Sequence, residues 1–132
     1  MVSEVHSIFE YLYRDAANYK AYGSALLVGS ASDEDRAGIE CKLTSDGVFI
    51  PEFVGLEPLQ AQLDGFPSGD DHIWHEYVGL REACPRDAEE LSCRGTVRGL
   101  VAQFSALPDW TSGEMLSRIG LLLDQEPYSL MR

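Results

Sequence analysis

Apolar side chains near the start of the chain recur at every second position. Phe9, Tyr11 and Tyr13 alternate with Ile8, Glu10, Leu12 and Arg14, the period that places alternate side chains of a β-strand on one face. The same segment also fits a helical stripe, through Val5, Ile8, Leu12, Ala16 and Tyr19. Its aromatic and β-branched content favours the strand. Residues 15–18 then predict a turn, and residues 19–28 predict a second strand.

The middle of the chain predicts short elements separated by turns. Ser32 precedes three acidic residues, and this N-cap pattern predicts a helix over 33–43. A turn at 46–47 leads into a short strand, 48–50, which Pro51 ends. Pro58 favours the first turn of a short helix that ends at Leu63. Alternation over 73–81 predicts another strand.

The last third has the period of helices. Apolar residues predict one helix over 97–107, stopped by Pro108, and a final helix over 112–123. Because strands come mostly first and helices mostly last, the fold class is α+β. We expect a small antiparallel sheet with helices packed on one face, a helical C-terminal third and a single domain over residues 1–132.

Composition indicates a globular protein of the cytoplasm. The chain has 132 residues, and no apolar run approaches the roughly 20 residues that span a bilayer. The N-terminal residues lack the basic start and the apolar stretch of a signal peptide. The three cysteines are widely spaced and form no CxxC pair. We interpret them as ordinary thiols in a reducing compartment, and burial in the core is compatible with this interpretation.

The net charge of −12 is concentrated in one region. Residues 45–90 contain eleven acidic residues against two arginines, a balance of −9. Such a field repels nucleic-acid backbones and suits a protein partner with a basic surface. Solubility alone is the simpler explanation of the same charge. The residues that we expect to contact a partner are Asp64, Asp70, Asp71, Glu76 and Glu82.

One dense group of potential metal ligands occurs between residues 70 and 76. Its members are Asp71, His72, His75 and Glu76, and carboxylate and imidazole are ligands that zinc, manganese and iron accept. The spacing is not HExxH. If residues 73–81 form a strand, the two histidines point to opposite faces, which weighs against a shared metal.

A second polar group lies on the predicted hairpin turn. Arg14 could orient an anion and Asp15 could act as a base, which makes them catalytic candidates together with His75. The alternative is that Asp15 and Asn18 cap the turn and that Arg14 pairs with a nearby acid. Combined with Glu52 and the histidines, this turn would form a hydrolytic site, but nothing in the sequence brings these residues together in space.

Several short strings resemble a family of small bacterial proteins. They are YLYRDA (11–16), NYK (18–20), FIPE (49–52), VGL (54–56) and HIWHE (72–76). The resemblance covers roughly the first 80 residues and departs beyond Pro85. It implies a bacterial origin, but it supplies no mechanism because the family has no established activity.

Two functions compete on these observations. The first is protein–protein interaction as an immunity protein, an inhibitor or an accessory protein that engages a basic partner, without a cofactor and without binding nucleic acid or membrane. The alternative is a small hydrolase that uses a divalent metal held by residues 71–76. A third possibility is a ligand sensor with aromatic walls from Tyr11, Tyr13, Tyr22 and Trp74. We favour the non-enzymatic function.

Overall fold

The computed structural model describes residues 5–131 and has the predicted α+β architecture. Its strands are β1 (His6–Arg14), β2 (Lys20–Val28), β3 (Val48–Phe49), β4 (His75–Glu82) and β5 (Cys93–Thr96). Its helices are α1 (Asp33–Glu40), α2 (Pro85–Glu90), α3 (Val97–Ser105) and α4 (Gly113–Leu123), with 3-10 turns at Pro51–Val54, Gln60–Gln62 and Tyr128–Met131. Within residues 5–131, no helix combines the length and the apolar character needed to cross a membrane.

The first segment is a strand, and it lies at the centre of a five-stranded sheet of order β3-β4-β1-β2-β5. It pairs antiparallel with β2 along its whole length, from His6 opposite Val28 to Arg14 opposite Lys20. On its other side it pairs antiparallel with β4, and β4 pairs with the short β3. Pairing on both sides satisfies the backbone hydrogen-bonding groups of β1.

The core lies on one face of the sheet, where the alternation of β1 places Phe9, Tyr11 and Tyr13. The ring of Phe9 packs 5.8 Å from that of Phe49 and 6.0 Å from that of Phe104 on α3. α1 contributes Ile39 to the same cluster. The helices on this face begin at N-caps: Ser32, Thr96 and Ser112 each accept a hydrogen bond from a first-turn amide.

The connection from β4 to β5 differs from the sequence prediction. β5 pairs parallel with β2 at the far side of the sheet, so the chain crosses two strands, and α2 forms in this crossover. Arg81 of β4 hydrogen-bonds Asp87 of α2 and Glu10 of β1, which places α2 on the face opposite the core. The sheet is therefore mostly, rather than wholly, antiparallel.

Two further local predictions are corrected by the structure. The helix expected up to Leu63 is only a 3-10 turn, Gln60–Gln62, and the amide of Leu59 donates instead to the His75 ring. The three cysteines are exposed and unpaired, so the expectation of burial is wrong.

The C-terminal 3-10 turn folds back onto the start of β4. Tyr128 is buried in a second, smaller apolar cluster with Ile50, Ile73 and Leu122. This contact brings the last part of the described chain next to the loop that carries the predicted ligands.

Candidate functional site

The two polar groups singled out in the sequence meet in the fold. The hydroxyl of Tyr13 donates to Oδ1 of Asp71 at 2.6 Å and accepts from the amide of His72 at 3.2 Å. The amide of Ala16 donates to the carbonyl of Asp70 at 3.0 Å. We call this contact between residues 13–19 and residues 68–76 the hairpin–loop junction.

Both ring nitrogens of His72 bond to backbone atoms in this junction. Nδ1 accepts the amide of Trp74 at 3.0 Å, and Nε2 lies 2.7 Å from the carbonyl of Arg14. A carbonyl only accepts, so Nε2 carries the hydrogen and the neutral ring satisfies both bonds. The imidazole therefore has no lone pair left for a metal ion.

His75 is fully buried and is held in the same manner. Its Nε2 accepts the amide of Leu59 at 3.0 Å, and its Nδ1 donates to the carbonyl of Ile73 at 3.1 Å. Burial lowers the pKa of His75 to about 4, because the charged ring would lose its hydration. The ring is a neutral structural bridge at physiological pH.

The two histidines approach the same tyrosine instead of pointing to opposite faces. Their ring centroids lie 5.0 Å and 5.2 Å from that of Tyr13. The prediction of opposite faces is wrong because β4 begins at His75 and His72 belongs to the preceding loop. A strand start displaced by two residues removes the alternation on which that prediction rested.

The carboxylates of the predicted metal group are also engaged. Oδ2 of Asp71 accepts from the amide and hydroxyl of Ser68 at 2.9 and 3.2 Å, and Glu76 forms an ion pair with Arg14 at 2.9 Å. In the part of the chain that the structure describes, no group of three or more His, Cys, Asp or Glu side chains is arranged to hold a metal ion. These donor atoms fit a hydrogen-bonded clamp and do not fit a metal site.

The catalytic candidates on the turn are similarly occupied. Oδ1 of Asp15 accepts the amides of Ala17 and Tyr19, both at 2.9 Å, which closes the hairpin turn as the capping alternative predicts. The guanidinium of Arg14 bonds Glu76 and the side-chain oxygen of Asn18. Asn18 has a φ of +69°, a left-handed conformation that asparagine tolerates in turns.

Glu52 reaches the junction through a buried polar chain. Tyr128 donates its hydroxyl hydrogen bond to Glu52, and the amide of Gln60 bonds both the Tyr128 hydroxyl at 3.2 Å and the His72 carbonyl at 2.9 Å. Oε1 of Glu52 is buried and has no hydrogen-bond partner. Desolvation raises the pKa of the Glu52 carboxyl above its usual range.

An acidic surface lies at the outer side of the junction. Asp15, Asp64 and Asp70 are only partly buried or exposed, and among residues 5–131 none of their carboxylates takes part in an ion pair. Tyr19 stands beside them with 67% of its surface exposed. A cavity of about 440 Å³ opens here, lined by Asp15, Tyr19, Gln62, Leu63 and Asp64. We call Asp15, Tyr19, Asp64 and Asp70 the acidic end.

The predicted partner-binding residues divide between two ends of β4. Asp64 and Asp70 belong to the acidic end, and the side chains of Asp71 and Glu76 are bonded within the junction. Glu82 closes β4, six residues beyond Glu76, which corresponds to about 20 Å along a strand. The five residues therefore form no single patch.

The aromatic residues considered as walls of a ligand site do not line one cavity. Tyr11 and Tyr13 are buried in the core, and Tyr22 is 67% exposed on the opposite face of the sheet. The ring of Trp74 packs against that of Trp110, with centroids 5.3 Å apart and the ring planes tilted by 60°. Sequence reasoning grouped Tyr19 with the polar residues of the hairpin turn but gave it no role. It missed Gln60 and Tyr128, which carry no signal in the sequence.

Comparisons of the chain with known proteins identify no relative. No protein-family model, no curated protein and no solved structure matches the chain.

Proposed function

We propose that this chain is a protein-interaction domain whose acidic end binds a basic surface of another protein. An immunity protein, an inhibitor or an accessory subunit would use such a surface. The observation that carries the proposal is the group of three carboxylates, without ion-pair partners among residues 5–131, around the exposed Tyr19. Of the predicted partner-binding residues, we assign Asp64 and Asp70 to the contact, and we add Asp15.

Electrostatics support a basic partner. The bases closest in sequence are Arg14, which is paired with Glu76, and the exposed Lys20. Three carboxylates and one lysine leave this end of the molecule with a net charge of −2. An uncompensated charge of this kind accelerates the approach of an oppositely charged surface, and the effect weakens as salt is added.

Tyr19 supplies the apolar contact that charge alone lacks. Exposed tyrosines are enriched at interfaces because a rigid aromatic ring buries a large area at little entropic cost. Its ring stands at the cavity that Leu63 and Gln62 also line. A lysine or arginine side chain of the partner would place its methylenes against this wall and its charge near the carboxylates.

The junction gives this surface a fixed shape. Backbone amides of the turn are held by Asp15, and the loop is held by the bonds of Tyr13 to Asp71 and His72. Preorganised contacts bind more tightly because less conformational entropy is lost on association. The buried histidines thereby support binding without touching a partner.

The experiment is a capture with three tagged baits in parallel from nuclease-treated lysate of the source organism. The baits are the natural chain, the D64N/D70N variant and an E82Q/E89Q variant, which removes the same charge at the other end of β4. We expect a basic protein that the natural and E82Q/E89Q baits retain and the D64N/D70N bait loses. A partner held equally by all three baits would overturn the assignment to the acidic end.

The purified pair then tests the physical basis. We expect the association rate constant to fall steeply between low and physiological salt, and the slope to be smaller for D64N/D70N. An association rate that does not change with ionic strength would contradict electrostatic recognition, whichever bait captured the partner.

A further inference from the structure

The face of the sheet opposite the core is covered at one end and exposed at the other. At the covered end, Ile8 and Leu26 are buried, and Arg81, which lies opposite Ile8 in the register, binds α2 there. At the exposed end, Leu12 lies opposite Tyr22, and 67% of the surface of Tyr22 is exposed. This end therefore presents an aliphatic and an aromatic side chain next to each other.

Val78 extends this apolar surface onto β4. It is the additional residue at the irregularity between β1 and β4, and 53% of its surface is exposed. Tyr77 and Leu80 of the same strand pack on the core cluster, so the exposed side chain of Val78 belongs to the opposite face. Two small residues flank the apolar side chains, Ser24 on β2 and Gly79 on β4. We call this set the sheet patch, which consists of Leu12, Tyr22, Ser24, Val78 and Gly79.

The charges around the sheet patch are balanced, unlike those of the whole chain. Arg14 pairs with Glu76 at 2.9 Å. Arg81 pairs with Glu10 at 3.1 Å, and Lys20, at the boundary with the acidic end, has no ion-pair partner among residues 5–131. Two ion pairs and one lysine leave this face without the negative charge of a chain whose net charge is −12. A basic protein is attracted elsewhere, whereas a second copy meets little repulsion at such a face.

We propose that the sheet patch binds the sheet patch of a second copy of this chain, in a two-fold dimer that packs sheet against sheet. The two-fold axis crosses the strands at Leu12 and Tyr22, so the strands of the two copies run in opposite directions. A two-fold contact brings the same surface of each copy together, and facing sheets pack about 10 Å apart through their side chains.

The reversed direction makes the two faces complementary in charge. Arg14 lies opposite Lys20, and Glu10 lies opposite Ser24, one row to each side of the axis. Reversal places the basic row of one copy over the row of Glu10 and Ser24 of the other. Ser24 is small and exposed, which leaves room for the Lys20 side chain next to the Glu10 carboxylate. An axis along the strands would instead place the basic row over itself.

The same orientation separates the two acidic ends. Asp15 and Tyr19 directly follow and precede the strand ends at Arg14 and Lys20, so the acidic end lies at one end of the strands. Opposed strands put the acidic ends of the two copies on opposite sides of the dimer. Repulsion between their unpaired carboxylates therefore falls with distance and is screened by salt.

The size of the sheet patch sets the expected affinity. Tyr22 stands at the axis, where its ring packs against Tyr22 and Leu12 of the other copy, and aromatic anchors near the centre of an interface contribute most of its binding energy. The contact uses half of one face of a small sheet, less than the roughly 800 Å² per partner of stable complexes. We expect a dissociation constant of about 10–100 µM.

The test is sedimentation equilibrium of the purified chain at physiological salt, from about 5 µM to about 500 µM. The mass should rise with concentration from 14.6 kDa towards twice that value. Two variants, Y22D and V78D, place a carboxylate in the contact and should each raise the dissociation constant at least about thirtyfold. Y19D is the matched control, because Tyr19 is equally exposed on the acidic end, and it should change the constant less than about threefold. Circular dichroism checks that every variant is folded.

A charge exchange tests the orientation of the two copies. K20E and S24K should each weaken their own dimer about tenfold, because like charges then face each other or Glu10. An equimolar mixture of the two should form a heterodimer within about threefold of the natural affinity, since Glu at position 20 faces Lys at position 24. A K20E dimer tighter than the natural one would overturn the arrangement.

Three outcomes would overturn the dimer itself. They are a mass of 14.6 kDa at all concentrations, self-association that Y22D and V78D leave unchanged, and a larger effect of Y19D than of Y22D. A chain that stays monomeric but loses a captured protein through Y22D would assign the sheet patch to a different partner. All of these measurements use the chain alone, so their result is independent of whether a basic partner binds the acidic end.

Discussion

The hydroxyl of Tyr13 lies 2.6 Å from Oδ1 of Asp71, although the two residues are 58 positions apart in the chain. This bond joins the central strand to the loop that precedes β4, and the same hydroxyl accepts the amide of His72. One buried oxygen therefore fixes the loop at two points. The polar residues of this region hold the acidic end in place, whereas its exposed carboxylates and Tyr19 face solvent.

Tyr13→Phe should destabilise the fold by about 1–3 kcal/mol, because the ring remains while Asp71 and the His72 amide each lose a partner. Urea unfolding measures this loss. Tyr77→Phe is the control, since its hydroxyl makes a single exposed bond to Glu40, and it should cost less than about 1 kcal/mol. Equal losses in the two variants would mean that the Tyr13 bonds do not hold the loop.

His75 should make the protein sensitive to acid. Burial lowers its pKa from 6.5 to about 4, so below pH 6.5 the unfolded chain binds a proton that the folded chain excludes. The free energy of unfolding should fall between pH 6.5 and 4, by up to about 3 kcal/mol. Chemical unfolding across this range provides the measurement. His75→Gln should be less stable at pH 7 and should lack this part of the pH dependence; a slope as steep as that of the natural chain would assign the effect to other groups.

The elements that could be predicted from the sequence are those that bury one face. β1 alternates from Phe9 to Tyr13, and α3 and α4 carry apolar stripes behind N-caps, because burial of one face imposes a period on the residues. α1 could be predicted from its N-cap Ser32 and its acidic first turn. β5 has no such period. All four of its residues are exposed, and its place is determined by backbone pairing with β2, which leaves no mark on side-chain polarity.

The site could be predicted only in part. Residue types identified segments 13–20 and 70–76 as the two candidate polar groups. Whether these segments contact each other depends on the register between β1 and β4, which includes an irregularity after Glu10. The start of β4 decided how the histidines are arranged, and strand boundaries are the least certain feature of a sequence pattern. The hydrogen bond between Tyr128 and Glu52 joins residues 76 positions apart in the chain, and no local feature of the sequence predicts it.

Gly23 is required by the packing of β2 on the core. A Cβ at this position would lie 2.8 Å from Cζ of Tyr11 and 2.9 Å from Cδ2 of Leu59. The Tyr11 ring cannot easily move, because its hydroxyl donates to the Glu57 carbonyl at 2.7 Å. Gly23→Ala should therefore cost about 1–3 kcal/mol by urea unfolding.

Gly79 provides the matched control for this substitution. It lies on β4, which pairs with the other side of β1, and a Cβ there would meet nothing within 4 Å. Gly79→Ala should change the unfolding free energy by no more than about 0.5 kcal/mol. If both alanines were tolerated equally, close packing against Tyr11 would not be the reason for glycine at position 23.

The engaged ligand atoms of residues 71–76 lead to an expectation for metal ions. A metal that binds only the folded state raises the unfolding temperature as its concentration increases. Because both histidine rings bond the backbone and Glu76 pairs with Arg14, we expect Mn²⁺ to leave the melting temperature unchanged. A rise in melting temperature that His72→Ala abolishes would instead support the hydrolase alternative.

Tyr19 and Tyr22 offer the sharpest test of where a partner binds. Both are 67% exposed, but Tyr19 belongs to the acidic end and Tyr22 lies on the face of the sheet opposite the core. If the captured basic partner binds the acidic end, Tyr19→Ala removes a ring that becomes buried on association, and the dissociation constant should rise about thirtyfold or more. Tyr22→Ala loses an equally exposed ring and should change the dissociation constant less than about threefold.

Isothermal calorimetry on the two variants gives both dissociation constants, and circular dichroism checks that each variant still folds. A larger effect at Tyr22 would place the interface on the face of the sheet opposite the core, and the acidic end would then act only through its electrostatic field.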